Sequence, residues 1–60
     1  MTDYEIRYFH ADGSLGLIRM TYQLNDEDAV AHARDQQGDF ARYEIRRGNR
    51  ALAVPAMAAR

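Results

Sequence analysis

Tyr4-Glu5-Ile6-Arg7 is repeated letter for letter as Tyr43-Glu44-Ile45-Arg46, and these two stretches decide the fold. In each copy apolar and charged side chains alternate, which is typical of a β-strand with one buried face and one wet face. Each copy also leads into a turn signal, Asp12-Gly13 after the first and Gly48-Asn49 after the second. The sequence therefore predicts two β-hairpins, one on each side of a central segment.

The first hairpin has two possible registers, and the length of its loop decides between them. A two-residue loop at Asp12-Gly13 would pair Ile6 with Arg19, which puts a charged side chain on the core face. A three-residue loop over 12–14 instead pairs apolar residues throughout: Tyr8 with Ile18, Ile6 with Met20 and Tyr4 with Tyr22. We expect the second register, with strands over about 3–10 and 15–24 and with Ile18, Met20, Tyr22 and Leu24 facing the core.

A helix is predicted over about 26–37. Asn25 is a good N-cap, and the three acidic residues that follow it suit the positive end of the helix dipole. Gly38 is the natural residue to end the helix. The apolar stripe of this helix (Ala29, Val30 and Ala33) is small, so the sheet must supply most of the core.

The second hairpin has strands over about 40–47 and 50–54. Ala41, Tyr43 and Ile45 are expected on the core side, and the Gly48-Asn49 turn pairs Ile45 with Leu52 and Tyr43 with Val54. Pro55 should end strand pairing, because proline has no N–H to donate.

The predicted fold class is α+β, in the order ββαββ: a mainly antiparallel four-stranded sheet with one helix packed on one face. A single domain is expected over 1–55, with a flexible tail over 56–60. A chain of 60 residues has a marginal core, and without cysteine it cannot gain stability from disulfides. Self-association is the remaining common way to gain stability, so a homodimer or a partner protein is expected.

Charge is unevenly distributed along the chain. Residues 1–39 carry eight acids and three Arg, net −5, whereas 40–60 carry one acid and five Arg, net +4. All eight basic residues are Arg, which together with many Ala suits a GC-rich bacterial genome. No apolar run approaches the roughly 20 residues of a membrane span, so a cytoplasmic protein without membrane contact is expected.

No group of residues predicts catalysis or a cofactor. The two histidines, His10 and His32, lack partner ligands at metal-site spacing, and the acidic run over 25–28 is explained by helix capping. A nucleophile–base pair and a phosphate-binding glycine loop are both missing. The sequence therefore predicts a non-enzymatic protein with no metal and no cofactor.

The outward face of the sheet offers two kinds of binding surface. Phe9 and Leu17 would face each other there, with Phe40 beside them, and an apolar patch next to Arg favours a protein interface, which makes a small interaction or regulatory module the first expectation. The alternative is a nucleic-acid-binding module, in which Phe9 stacks on bases and four arginines of the C-terminal hairpin contact phosphate. Those arginines are Arg42, Arg46, Arg47 and Arg50.

Five short motifs resemble those of a known family: Tyr8-Phe9-His10 before Asp12-Gly13, the helix segments over 28–29 and 31–34, Tyr43-Glu44-Ile45, and Val54-Pro55. Together they resemble short alphaproteobacterial proteins that form a domain of unknown function. Members have an aromatic-aromatic-His strand, an Asp-Gly turn, an Ala/Arg-rich helix and a C-terminal hairpin. The resemblance implies a fold and a lineage but no activity.

Overall fold

The structure is a computed structural model, and it describes residues 1–52. Its elements follow the order β1 (Thr2–Phe9), β2 (Leu15–Gln23), α1 (Asp26–Asp35), β3 (Arg42–Arg47) and β4 (Arg50–Ala51). All strand pairs are antiparallel, and the strands form one sheet in the order β2-β1-β3-β4. The helix covers one face of this sheet, which confirms the predicted ββαββ order and the α+β class.

The core lies between α1 and the two central strands. Alternate residues of β1 and β3 point into it, as the repeated tetrapeptide predicts, and two alanines of α1 meet them. The fully buried apolar side chains are Tyr4, Ile6, Tyr8, Ala29, Ala33, Tyr43 and Ile45. Leu17, Val30, Phe40 and Leu52 pack against this cluster from its edges. Ala41, which was expected on the core side, is exposed.

Helix α1 begins as its sequence predicts. The side chain of Asn25 accepts a hydrogen bond from the backbone N–H of Asp28 at 2.8 Å, and acidic residues fill the first turn. The helix ends at Asp35 with Gln36 as its C-cap, two residues earlier than predicted. Because Ala33 is small, the helix lies close to the sheet. The hydroxyl of Tyr8 therefore reaches the backbone carbonyl oxygen of Ala33 and donates a hydrogen bond to it at 2.9 Å.

The predicted register of the first hairpin is wrong by one residue. The structure pairs Tyr8 with Leu17, Ile6 with Arg19 and Tyr4 with Thr21. A shift of one residue moves every side chain of β2 to the other face of the sheet. Four apolar residues that were expected in the core are exposed as a result: Ile18, Met20, Tyr22 and Leu24.

Two local features of the hairpin cause this register. The loop consists of residues 11–13, because the N–H of His10 donates to the carbonyl of Ser14 at 2.8 Å and Gly13 takes a left-handed φ of 92°. Asp12 accepts hydrogen bonds from the hydroxyl and the N–H of Ser14, and these bonds lower the pKa of its carboxyl. Gly16 is then an extra residue, a β-bulge, since Phe9 pairs with Leu15 and Tyr8 with Leu17.

The second hairpin follows its prediction within the described residues. Gly48 has a φ of 60°, Arg47 pairs with Arg50, and the N–H of Leu52 donates to the carbonyl of Ile45 at 2.8 Å. This confirms the pairing of Ile45 with Leu52. Strand β3 begins at Arg42 rather than at residue 40. The predicted pairing of Tyr43 with Val54, the role of Pro55 and the tail over 56–60 lie outside the described residues.

Two neighbouring tyrosines of the core differ in how their hydroxyl groups are satisfied. Tyr8 and Tyr43 are cross-strand partners, with ring centroids 6.2 Å apart. The hydroxyl of Tyr8 donates to the carbonyl of Ala33, whereas the buried hydroxyl of Tyr43 has no partner among the residues that the structure describes. A buried hydroxyl without a partner costs folding free energy. The Tyr8 hydroxyl should therefore stabilise the fold, and the Tyr43 hydroxyl should destabilise it.

We expect Tyr8→Phe and Tyr43→Phe to change stability in opposite directions. Tyr8→Phe removes a buried hydrogen bond and should lower the free energy of unfolding by about 1 kcal/mol. Tyr43→Phe removes an unsatisfied hydroxyl and should raise the free energy of unfolding by about 0.5–1 kcal/mol. Urea titrations of both variants beside the parent would measure this. Equal losses in the two variants would show that the Tyr43 hydroxyl has a partner.

Candidate protein-interaction surface

The sheet face opposite α1 is called the open face here, because no described residue covers it. The register places three cross-strand rows on this face: Met20-Glu5-Arg46, Ile18-Arg7-Glu44 and Leu15-Phe9-Arg42. Asp3 and Tyr22 form a fourth pair at one end. The open face is therefore apolar along β2 and mainly charged along β1 and β3.

The apolar side chains of β2 form a continuous exposed row, the β2 stripe. It consists of Leu15 (48% exposed), Ile18 (49%), Met20 (64%) and Tyr22 (62%). Leu24, just beyond the strand, is 68% exposed. These side chains are exposed because β2 is an edge strand and because the bulge at Gly16 turns them away from the helix. Single exposed apolar residues are ordinary on a protein surface, whereas the largest contiguous apolar patch is often functional.

The charged part of the open face is neutralised by contacts within the chain. Arg7 forms an ion pair with Glu5 at 2.5 Å, and Arg42 forms one with Glu44 at 3.0 Å. The guanidinium of Arg42 also lies 4.1 Å from the ring centroid of Phe9, a cation–π distance. Exposed ion pairs add little stability. These two nevertheless cancel four of the charges that a partner would meet on the open face.

Two of the three predicted interface residues pack against the core rather than on the open face. Phe9 lies on the open face as expected, but Leu17 lies on the helix side, pairs with Tyr8 and packs against the core. Phe40 also packs against the core, with its ring centroid 5.4 Å from that of Tyr8 and 5.3 Å from that of His10. Leu17 was assigned to the wrong face because of the register error, whereas Phe40 precedes β3 rather than belonging to it.

The four arginines of the predicted nucleic-acid surface do not share one face. Arg42 and Arg46 are on the open face, where Arg42 is paired with Glu44 and Arg46 lies opposite Glu5. Arg47 is on the helix side, where it forms an ion pair with Asp26 at 2.9 Å. Arg50 is the cross-strand partner of Arg47. Arg19, which the predicted register would turn outward, also lies on the helix side, opposite Ile6.

A separate depression of about 450 Å³ lies at the start of α1. Asp26 organises it, since one carboxylate oxygen accepts from the Tyr4 hydroxyl at 2.7 Å and from Arg47 Nη1 at 2.9 Å. The hydrogen bond to Asp26 raises the pKa of Tyr4, and burial adds to the effect. Tyr4 and Arg47 thus share the carboxylate of Asp26, and this network joins the helix to β1 and β3.

Comparisons with known proteins identify no relative. No protein-family model matches the chain, and neither does any curated protein or solved structure. Within residues 1–52, no three His, Asp or Glu side chains converge as metal ligands would. None of the helices in that range has the length and apolar character needed to span a membrane.

Proposed function

We propose that this chain is a small non-enzymatic interaction module that associates with itself through the open face of its sheet. The β2 stripe carries this proposal. Its four large apolar residues are 48–64% exposed, on an edge strand whose outer edge is paired with no described strand. The largest apolar patch on a protein surface is often functional, and a contiguous row of this kind favours an association surface.

The size of the core supports the proposal. Two of the seven fully buried side chains are alanines, so the domain buries few large apolar groups of its own. Domains of about 60 residues bury only about 60% of their unfolded surface, and oligomerisation is a common source of further stability. Covering the β2 stripe would bury large apolar side chains that the monomer leaves in water.

Light scattering between about 1 and 500 μM tests this directly, since weak interfaces have micromolar dissociation constants. The parent chain should pass from monomer to dimer over this range. Met20→Asp places a charge in the middle of the stripe and should keep the chain monomeric. Ala31→Asp is the matched control, because Ala31 is exposed on α1, away from the stripe. A parent chain that stays monomeric, or a Met20→Asp variant that dimerises normally, would overturn the proposal.

Nucleic-acid binding is the second candidate, and it has less support. Arg42 and Arg47 already bond carboxylates, and they lie on opposite faces of the sheet. A nucleic-acid binder should hold a single-stranded oligonucleotide with an affinity that falls steeply as salt rises. Membership of the alphaproteobacterial family, a bacterial origin and a cytoplasmic location stay predictions from the sequence.

A further inference from the structure

We propose that the partner is a second copy docked face to face, with one β2 stripe lying on the other, the two sheets stacked and both helices outward. The alternative is extension of the sheet at the free edge of β2. This inference rests on the proposed self-association and adds its geometry. Three features favour face-to-face docking over sheet extension: the position of Arg19, the charge of the open face and the size of the stripe.

The edge of β2 carries two features that oppose sheet extension. Arg19 lies in the middle of this nine-residue strand, on the side of the sheet that holds the core, opposite Ile6. An inward-pointing charge and a β-bulge are both devices that keep edge strands from pairing, and β2 has one of each. In symmetric antiparallel pairing about the middle of β2, Arg19 would meet Arg19 of the partner, and like charges directly opposite each other are destabilising.

The open face suits a copy of itself. It carries three acids and three arginines, and four of these six form ion pairs within the chain. Two such faces therefore meet without net repulsion. The apolar residues lie along one flank, so superposing the two stripes puts an apolar strip at the centre and leaves the charged strands at the rim. This is the usual anatomy of a protein interface.

The exposed area predicts a weak, reversible dimer. Four half-exposed apolar side chains offer roughly 400 Å² per copy, within the size of the largest patches on monomers. A pair would bury about 800 Å² from the stripes alone, below the standard interface size. We therefore expect a dissociation constant on the order of 10–100 μM.

Cross-linking tests whether the two stripes lie together in the dimer, and the measurements on the β2 edge then separate face-to-face stacking from sheet extension. The chain contains no cysteine, so a single one can be introduced. Met20→Cys places a thiol on the stripe, and a short bismaleimide should link two copies in high yield above the dissociation constant. The yield should fall on tenfold dilution, in step with the dimer fraction measured by light scattering. Linking that fails in a solution shown to be dimeric would overturn the face-to-face geometry.

Two further measurements test whether the outer edge of β2 takes part in the dimer. Arg19→Thr should change the dissociation constant of the face-to-face dimer less than twofold, since Arg19 points away from the open face. In an edge-paired dimer the same change would remove the repulsion between the two Arg19 side chains, and binding should become at least tenfold tighter. Amides on the outer edge of β2 should exchange at the same rate in monomer and dimer. Protected edge amides together with tighter binding by Arg19→Thr would overturn the geometry and leave self-association intact. A parent chain that is monomeric throughout would instead remove the proposed function itself.

Discussion

Ile6→Ala is expected to unfold much of the domain at 25 °C, whereas Ile18→Ala should leave it folded. Ile6 lies on the central strand with its side chain fully buried, and truncating such a residue costs about 2–5 kcal/mol. Domains of this size have a total stability of roughly 3–9 kcal/mol, so the loss is a large part of the whole. Ile18 is 49% exposed on the edge strand, and its truncation should cost about 1 kcal/mol or less.

Urea unfolding followed by circular dichroism measures both variants, at a few micromolar so that association does not add to stability. The comparison discriminates the two registers of the first hairpin. In the register predicted from the sequence, Ile18 faces Tyr8 inside the core, and both truncations would be severe. Equal losses for Ile6→Ala and Ile18→Ala would therefore contradict the pairing of Ile6 with Arg19 in the structure.

The parts of the fold that could be predicted are those that short-range pattern determines. Alternation identified Tyr4, Ile6 and Tyr8 as one buried row, and the repeated tetrapeptide identified Tyr43 and Ile45 as another. The cap at Asn25 and the glycine turn after β3 are encoded within a few residues, because each depends on one side chain and its own backbone. In all of these cases the local preference and the global fold agree.

Strand β2 could not be placed by the same rule, because most of its apolar side chains do not face the core. Ile18, Met20 and Tyr22 alternate with polar residues as a buried row would, and the rule that apolar faces point inward selects the wrong register. The structure places Arg19 on the helix side instead, where an edge strand leaves its long side chain exposed. Because the apolar side chains of β2 face solvent, the candidate interface moves from Leu17 to the β2 stripe.

The placement of Leu17 on the outward face was wrong for the same reason. Leu17 was chosen as an outward residue only because Ile18 had been assigned to the core, so a single slip exchanged the two. Gly16 was the available signal, since a glycine inside a strand pattern marks a bulge or a close backbone approach. A bulge at that position changes the register by one residue, and the choice between the two registers depended on it.

Gly16→Val is expected to destabilise the domain by about 2–3 kcal/mol, although valine favours strands. The reason is space rather than backbone conformation. A Cβ at Gly16 would run into the ring of Phe40 and lie 2.8 Å from His10 Nε2. The ring of Phe40 packs between Tyr8 and His10, so it cannot move without disturbing the edge of the core. His10 is exposed and can turn away, which leaves the contact with Phe40 as the main cost.

A double-mutant cycle with Phe40→Ala tests this cause. If the cost of Gly16→Val arises from the Phe40 ring, removing the ring should recover at least about 1 kcal/mol of it, as expected for residues in direct contact. Gly13→Val is the contrasting control: a Cβ there meets nothing, but its φ of 92° is strained for any other residue, so Phe40→Ala should recover none of that cost. A Gly16→Val variant as stable as the parent would show that Phe40 does not pack against the bulge. The loop over 11–13 would then hold the register of β2, and the exposed position of the stripe, without help from Phe40.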